Sequence, residues 1–583
     1  MSSANPDGDA PVVKLNTGTT TASTMASTEA EAPKTKPSSH ALPPEKPEAI
    51  WTRTKVLLSF WAVIIFLGLP MWWKTTSIYR AALPLEEMMS WADGKACKPA
   101  FPLEVILRAP SIPSAEAQNL IRATQHRLDD LNEFPAHHLR LKLAGDDQSL
   151  DIQSDTPVGD SGHPALVVNL VPEETKAFKA DLRSDALWLD VSYSPSQLST
   201  ASSTSSTSPL VSFIADQIQK LFNEEKATIA HILKSSNFGA SFTGATSVQS
   251  VSPELAQAVN ERVTRSVKYA EKYHLTFSLF TPGSQPSSWD IEEAIGEYLT
   301  PLLSAFAPIS NFSVDTQVQL FAQFSPTTPA PEYDDSRGQW TLKQEDLSTF
   351  INSAEWPLSP SIGSAPTINF VLYVPAPSQS PLVVKDSQAT SWIVPQWGGV
   401  AIFNLPHSTE ELAYDNPAHL SKDALKPAFL TFSHQLLAIL GTPSTPLSLP
   451  FRLQSLVRIR AASLLVSASS TMGSLARLTR SLASIPIPMS VASSVSTTLS
   501  HLTATCQLLR EGRFQAALAS ARVAEKEAEK SFFEKSMVGQ MYFPDEHKVA
   551  VYLPLLGPIG VPLIIGLLRE MKRIITDLKR RKK

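Results

Sequence analysis

This chain lacks the residues and spacings that mark most catalytic proteins. Only two cysteines, Cys97 and Cys506, stand among its 583 residues. No Cys/His spacing suits zinc. There is no G-x-S-x-G elbow, no H-E-x-x-H, no P-loop and no dinucleotide fingerprint, so the common hydrolase, zincin and nucleotide chemistries find no anchor. Gly239-Ala240-Ser241-Phe242-Thr243-Gly244 comes close to none of them. A strong charge is also missing. The net charge is −5, and no basic patch is interleaved with aromatics, which argues against a nucleic-acid partner. The sequence implies no cofactor, no metal and no catalytic residue.

The residues that invite a chemical reading each have a plainer one. His501 precedes Cys506 by five positions, an offset that does not share a helix face, so a structural cysteine is expected. Asp146-Asp147 and Asp334-Asp335 lack the spaced D-x-D of a sugar-nucleotide metal site and read as solvated loop carboxylates. His137 and His138 are adjacent; on a strand they point to opposite faces and do not easily share one ion. Trp392-Ile393-Val394-Pro395-Gln396-Trp397-Gly398-Gly399 suits a substrate groove less well than a tight turn into a buried strand, with Trp397 as a lid on the core. For Cys97 and Cys506, a disulfide and two free buried thiols both remain open.

What the chain does have is two apolar segments near its ends, Val56–Trp73 and Val549–Leu568, neither holding a charge. Eighteen to twenty helical residues cover roughly 30 Å of hydrocarbon. The first lies too far from Met1 for an ordinary cleaved signal peptide and reads as a signal anchor. Trp72 and Trp73 lie at its far edge, where indoles favour headgroups. Arg53 and Lys55 before it balance Lys74 and Arg80 after it. The second segment orients the chain. Lys535 and Lys548 precede it, whereas Arg569, Lys572, Arg573, Lys579, Arg580, Arg581, Lys582 and Lys583 follow. Both termini are then cytoplasmic and the part between is luminal. Pro554, Pro558 and Pro562 share one helix face, and Gly557, Gly560 and Gly566 allow close approach of another helix. The one sequon, Asn311-Phe312-Ser313, falls in the luminal part and makes Asn311 the candidate glycosylation site.

The expected organisation is a disordered tail over 1–54, a transmembrane helix over 55–74 and a luminal α/β domain over 75–548. A second transmembrane helix over 549–568 and a basic tail over 569–583 follow. Low apolar content argues for disorder in the first tail. Residues 195–209 form a Ser/Thr-rich loop. Strands are expected at 102–109, 164–171, 187–193, 274–281, 313–322, 367–374 and 399–404. Val314, Thr316, Val318 and Leu320 alternate with polar residues as in a half-buried strand, and Asn369–Val374 reads as an interior one. Ser252-Pro253 opens a helix with Leu255, Val259, Val263 and Val267 on one face. Asp290 with Glu293 reads as a capping box. From about 418 to 540 the chain is helical, broken once at Pro486 and Pro488. The fold class is thus a mixed sheet with flanking helices and a helical C-terminal portion, held between two transmembrane helices.

Several segments together resemble one family. Gly68-Leu69-Pro70-Met71-Trp72-Trp73-Lys74-Thr75-Thr76, Tyr79-Arg80-Ala81 and Leu83-Pro84 resemble the exit of the first span in PIG-S. Asn369-Phe370-Val371-Leu372-Tyr373-Val374-Pro375, Ser380-Pro381-Leu382 and Pro395-Gln396-Trp397-Gly398-Gly399-Val400 resemble its central strands. Ala528-Glu529-Lys530-Ser531-Phe532-Phe533 and Tyr542-Phe543-Pro544-Asp545-Glu546-His547-Lys548, leading into Tyr552-Leu553-Pro554-Leu555, are similar to its approach to the second span. The resemblance covers about residues 54 to 570 and is of fungal type. It implies a non-catalytic subunit of the GPI transamidase complex in the endoplasmic reticulum membrane. That complex replaces a C-terminal signal peptide with a GPI anchor, so the GPI lipid and the precursor protein are met through it. Its implied partners are a caspase-like catalytic subunit, PIG-T, PIG-U and a GAA-type subunit. The competing expectation is an independent luminal transferase acting on a lipid-linked sugar, with a polar pair near Trp397.

Overall fold

The computed structural model describes residues 47–76, 79–144, 164–174, 177–195, 208–236, 253–322, 329–347, 365–405, 416–482, 485–538 and 545–581. Its principal helices are α1 (Pro47–Val63), α2 (Leu69–Thr76), α3 (Leu85–Ala92), α4 (Ser114–Asp130), α5 (Pro209–Lys234) and α6 (Pro253–Arg265). They continue with α7 (Lys422–Ile439), α8 (Leu449–Ser481), α9 (Met489–Glu511), α10 (Phe514–Phe532) and α11 (Asp545–Arg581). Two compact units result. The described residues up to 76, with those from 551 onward, form one; those from 79 to 550 form the other.

The large unit carries two five-stranded sheets. The first, in the order β2-β1-β3-β5-β4, uses β1 (Phe101–Arg108), β2 (His137–Leu143), β3 (Leu166–Pro172), β4 (Lys179–Leu182) and β5 (Trp188–Tyr193). All its pairs are parallel except β4 with β5. Leu103, Val105, Leu166, Val168 and Val191 are buried on it, and Ile214, Ile218 and Phe222 of α5 cover them. Those three residues recur every fourth position, which places them on one helix face. Pro209 at the first turn needs no N–H partner there, so α5 starts cleanly.

The second sheet has the order β13-β14-β11-β6-β8, built from β6 (Lys272–Phe280), β8 (Asn311–Gln319), β11 (Thr367–Tyr373), β13 (Ser391–Val394) and β14 (Gly398–Ile402). β6, β8, β11 and β14 are parallel, and β13 turns back antiparallel. As its apolar run implies, β11 is interior, with six of its seven residues buried. Phe277 and Phe370 stack at 5.1 Å between ring centres, and Phe429 of α7 lies 5.5 Å from Phe277. Three short strands, β9 (Glu332–Asp334), β10 (Gln339–Leu342) and β12 (Leu382–Val384), and the pair β7 (Ser288–Trp289) with β15 (His419–Leu420) complete the pattern.

All seven expected strands are present, but three details change. β8 ends at Gln319, so Leu320 lies beyond it, and its alternation is not clean: Val318 is exposed while Gln317 reaches in to Ser278 at 2.8 Å. The reason is its place at the sheet edge, where among the described residues no strand packs along one side. The helical C-terminal portion breaks at 440–448 and at Gly512 as well as near Pro488. Gly512 takes φ +77°, the left-handed helix stop that glycine adopts without strain. Ser252, Asp146, Asp147, residues 1–46 and Gly239–Gly244 lie outside the described residues.

The Trp392–Gly399 segment forms the β13–β14 hairpin, with Trp397 packed against the core. A Cβ built on Gly398 would sit 1.8 Å from the Asn369 carbonyl oxygen on β11. A backbone atom cannot swing aside. Gly398→Ala should therefore separate β14 from β11 and destabilise the unit by about 3 kcal/mol, measured as a fall in the urea midpoint.

Candidate functional site

Apart from Asp146-Asp147, each residue pair considered for chemistry has a definite place. Cys97, just after α3, and Cys506 on α9 form a disulfide across 409 residues, with Cα atoms 6.2 Å apart. The alternative of two free thiols is thereby corrected. Both sulfurs point into the same core, between α3, β1 and α9. His501 faces Ser520 at 3.1 Å instead of Cys506. Asp334 accepts from the Ser336 hydroxyl and amide, which hold its carboxyl below the usual range; Asp335 is exposed beside it. His137 is buried and faces Glu225, while burial and Arg140 lower the His138 pKa on the other side of the strand. Among the described residues, no three His, Cys, Asp or Glu side chains gather to hold a metal.

Folding does create one constellation that spacing concealed. Ser288 Oγ lies 2.9 Å from His419 Nδ1, and His419 Nε2 lies 2.9 Å from Asp290 Oδ1. The order nucleophile, base, carboxylate is that of a hydrolytic triad. Its surroundings differ. His419 is half exposed, Ser288 is exposed and its hydroxyl also lies against the Ala418 carbonyl at 3.4 Å. Asp290 also accepts from the Lys422 amide at 3.3 Å. Acyl transfer needs a sheltered cleft with donors for an oxyanion, and this group lies open. It ties β7, β15 and the start of α7 together. It also corrects the capping box: Asp290 makes no cap bond to its own helix, because His419 and Lys422 hold its carboxylate.

The strongest electrostatics are buried in the large unit. Glu224 and Glu225 are consecutive on α5, so they face different neighbours. Glu225 accepts from Arg458 Nε at 2.6 Å and Nη2 at 2.7 Å, and from Ser455 Oγ at 2.6 Å; both donors are on α8. His137 of β2 is 3.4 Å away. Burial by itself would raise the Glu225 carboxyl, but the Arg458 charge and hydrogen bonds, with His137, hold it well below the carboxylate range. Glu224 accepts from the Ser444 and Thr445 amides at 3.0 and 2.8 Å and pairs with Arg262 of α6. Two consecutive residues of one helix thus bind β2, α6, α8 and the loop before α8. A shallow pocket lined by Leu128, Asn132, His137, Gln219, Phe222 and Lys226 lies beside this cluster.

The smaller unit contains the two apolar helices. Glu48–Lys74 and Ala550–Arg580 are each long and apolar enough to cross a membrane, and neither window is buried inside the protein. Arg53 pairs with Glu570 at 2.8 Å, and Thr54 reaches the other carboxylate oxygen at 3.4 Å. Gly566 faces Leu57, whose Cδ2 would meet an added Cβ at 3.4 Å. Residues 53 and 57 meeting 570 and 566 makes α1 and α11 antiparallel. Gly557 and Gly560 have nothing within 4 Å of an added Cβ.

Comparisons with known proteins follow the same extent. A family model described as phosphatidylinositol-glycan biosynthesis class S protein matches residues 59–577. A rat protein named GPI-anchor transamidase component PIGS is 28% identical over 540 residues, covering 88% of this chain and 94% of the relative. The GPI transamidase component PIG-S homolog of Schizosaccharomyces pombe is 28% identical over 549 residues, covering 92% and 86%. The GPI transamidase component GPI17 of Saccharomyces cerevisiae is 25% identical over 540 residues, covering 88% and 91%.

Proposed function

This chain belongs to the PIG-S family, and on that premise we propose that it serves as a non-catalytic, membrane-anchored subunit of the GPI transamidase. The observation that carries the reading is the extent of the family match, which runs from within the first apolar helix into the second and takes in everything between them. Relatives of nearly the same length are named as components of that transamidase. The open Ser288–His419–Asp290 tie and the cysteines held in a disulfide favour catalysis by another, caspase-like subunit. PIG-T, PIG-U and GAA-type subunits are the other partners we propose. Depleting the protein should leave precursors with uncleaved C-terminal signals, scored by their size on immunoblots. Normal anchoring in its absence would end this reading. The names of the relatives do not favour the transferase alternative, and Trp397, near which its polar pair was expected, sits in a hairpin turn packed against the core.

We place the protein in the endoplasmic reticulum membrane, spanning it at residues 55–74 and 549–568, with residues 75–548 luminal and both tails, 1–54 and 569–583, cytoplasmic. A disulfide supports this, because it persists in an oxidising compartment. So does Asn311, exposed at the first position of edge strand β8. Asn311→Gln should remove the one endoglycosidase-sensitive mobility shift of the chain and leave its stability within about 0.5 kcal/mol, as for an exposed site. A wild-type chain of unshifted mobility, together with a protease-protected C-terminus, would overturn the orientation.

A further inference from the structure

α11 runs unbroken for 37 residues, so it is about 55 Å long. The apolar segment that ends at Leu568 covers roughly 30 Å of that. The last thirteen residues, 569–581, therefore project about 20 Å beyond the span as helix. They are not uniformly polar. Val561, Ile564, Leu568, Met571, Ile575 and Leu578 follow one another at steps of 3, 4, 3, 4 and 3. Each is between 48% and 58% exposed.

Beyond the wholly apolar span, Met571, Ile574, Ile575 and Leu578 form one stripe of the helix, and within it Met571, Ile575 and Leu578 keep the four-and-three spacing of a seam, at which side chains of a second helix interdigitate. The seam also crosses from the span into the charged extension without interruption. No glycine or proline follows Gly566, so nothing lets the extension bend down onto the leaflet. α1 does not cover it, because α1 meets α11 through Glu570 and Gly566, about a quarter-turn or more around the helix from Met571 and Ile575. Lys572 and Lys579, both exposed, flank the seam one position after Met571 and Leu578. They ask for carboxylates on the incoming helix. A second copy does not supply them. In a parallel pair the facing flank offers Leu567 and Ile574, and in an antiparallel pair lysine would face lysine.

We propose that the Val561–Leu578 seam docks one helix of another transamidase component, apolar along its own seam and bearing Asp or Glu opposite Lys572 and Lys579. This rests on the complex membership proposed above, and the test separates the two. The tagged full-length chain is purified in mild detergent. Wild type should retain the other transamidase components; if it does not, complex membership fails. Lys572→Glu/Lys579→Glu should cut that retention about tenfold or more. Arg569→Glu/Arg580→Glu makes the same charge change on the opposite face, controls for insertion, and should stay within about twofold. In intact membranes, a benzophenone side chain placed at Ile575 should crosslink to a helix of one of those components. Reversing the carboxylates of that helix should restore retention of the lysine variant. Unchanged retention in Lys572→Glu/Lys579→Glu overturns the proposal. An Ile575 adduct with lipid alone, with a second copy, or with nothing does the same.

Discussion

Arg458→Met should destabilise the large unit by about 3–5 kcal/mol at neutral pH, because it strands the Glu225 carboxylate in the interior. Arg458 supplies two of the hydrogen bonds that Glu225 accepts, and Glu225 has no route to water. Ser455 and His137 remain, but neither carries a fixed positive charge. The loss should show as a lower urea midpoint with an unchanged slope. Glu225→Leu/Arg458→Met should recover most of it, since removing both charges leaves nothing unpaired. The pH dependence has a definite sign. In wild type the folded-state carboxyl lies below its unfolded value of about 4.3, so its contribution is complete above that pH and fades as pH falls further. In Arg458→Met, burial raises the carboxyl instead. The gap between variant and wild type should therefore be widest near neutrality and narrow in acid. A gap that widened on acidification would refute the account.

Cys97→Ser should cost about 4–5 kcal/mol. The bond closes a separation of 409 residues, and chain-entropy estimates give about 4.7 kcal/mol for a loop of 100 residues, rising slowly with length. Both sulfurs are buried, so no solvent reaches the bond before the core opens. Cys506→Ser and the double variant should match Cys97→Ser closely, because each abolishes the same cross-link. Thermal unfolding of the three, with wild type under reductant, checks this. A double variant much more stable than either single one would shift the explanation to a stranded thiol.

These two features divide what the sequence could and could not show. Period and apolar runs mark seven strands of the two large sheets, since burial on one or two faces leaves its pattern in the neighbouring residues, but they leave β2, β4 and β13 of the same sheets unmarked. β11 is the clearest case, and β8 the weakest, because an edge strand is under less demand. The short strands β9, β10 and β12 are too brief to carry a period. α5 follows a Ser/Thr tract whose composition masks its start at Pro209. The Glu225–Arg458 pair spans 233 positions and the Ser288–His419 contact 131. No local pattern encodes such distances; only the completed packing of α5 on α8, and of β15 beside β7, brings them together. The cysteines pose the same problem: the residues were visible, their proximity was not. The apolar ends were legible because membrane crossing is a local property of composition and length. The family resemblance was legible for a related reason, since short strings of turn and interface residues persist in order along the chain.

The disulfide has one more effect. By joining residue 97 to residue 506, it turns most of the large unit into a covalent ring with two tails, each bearing one of the apolar helices. A single protease cut anywhere inside that ring opens it without releasing a fragment. Both tails stay on one molecule, and the nick is visible only on a reducing gel.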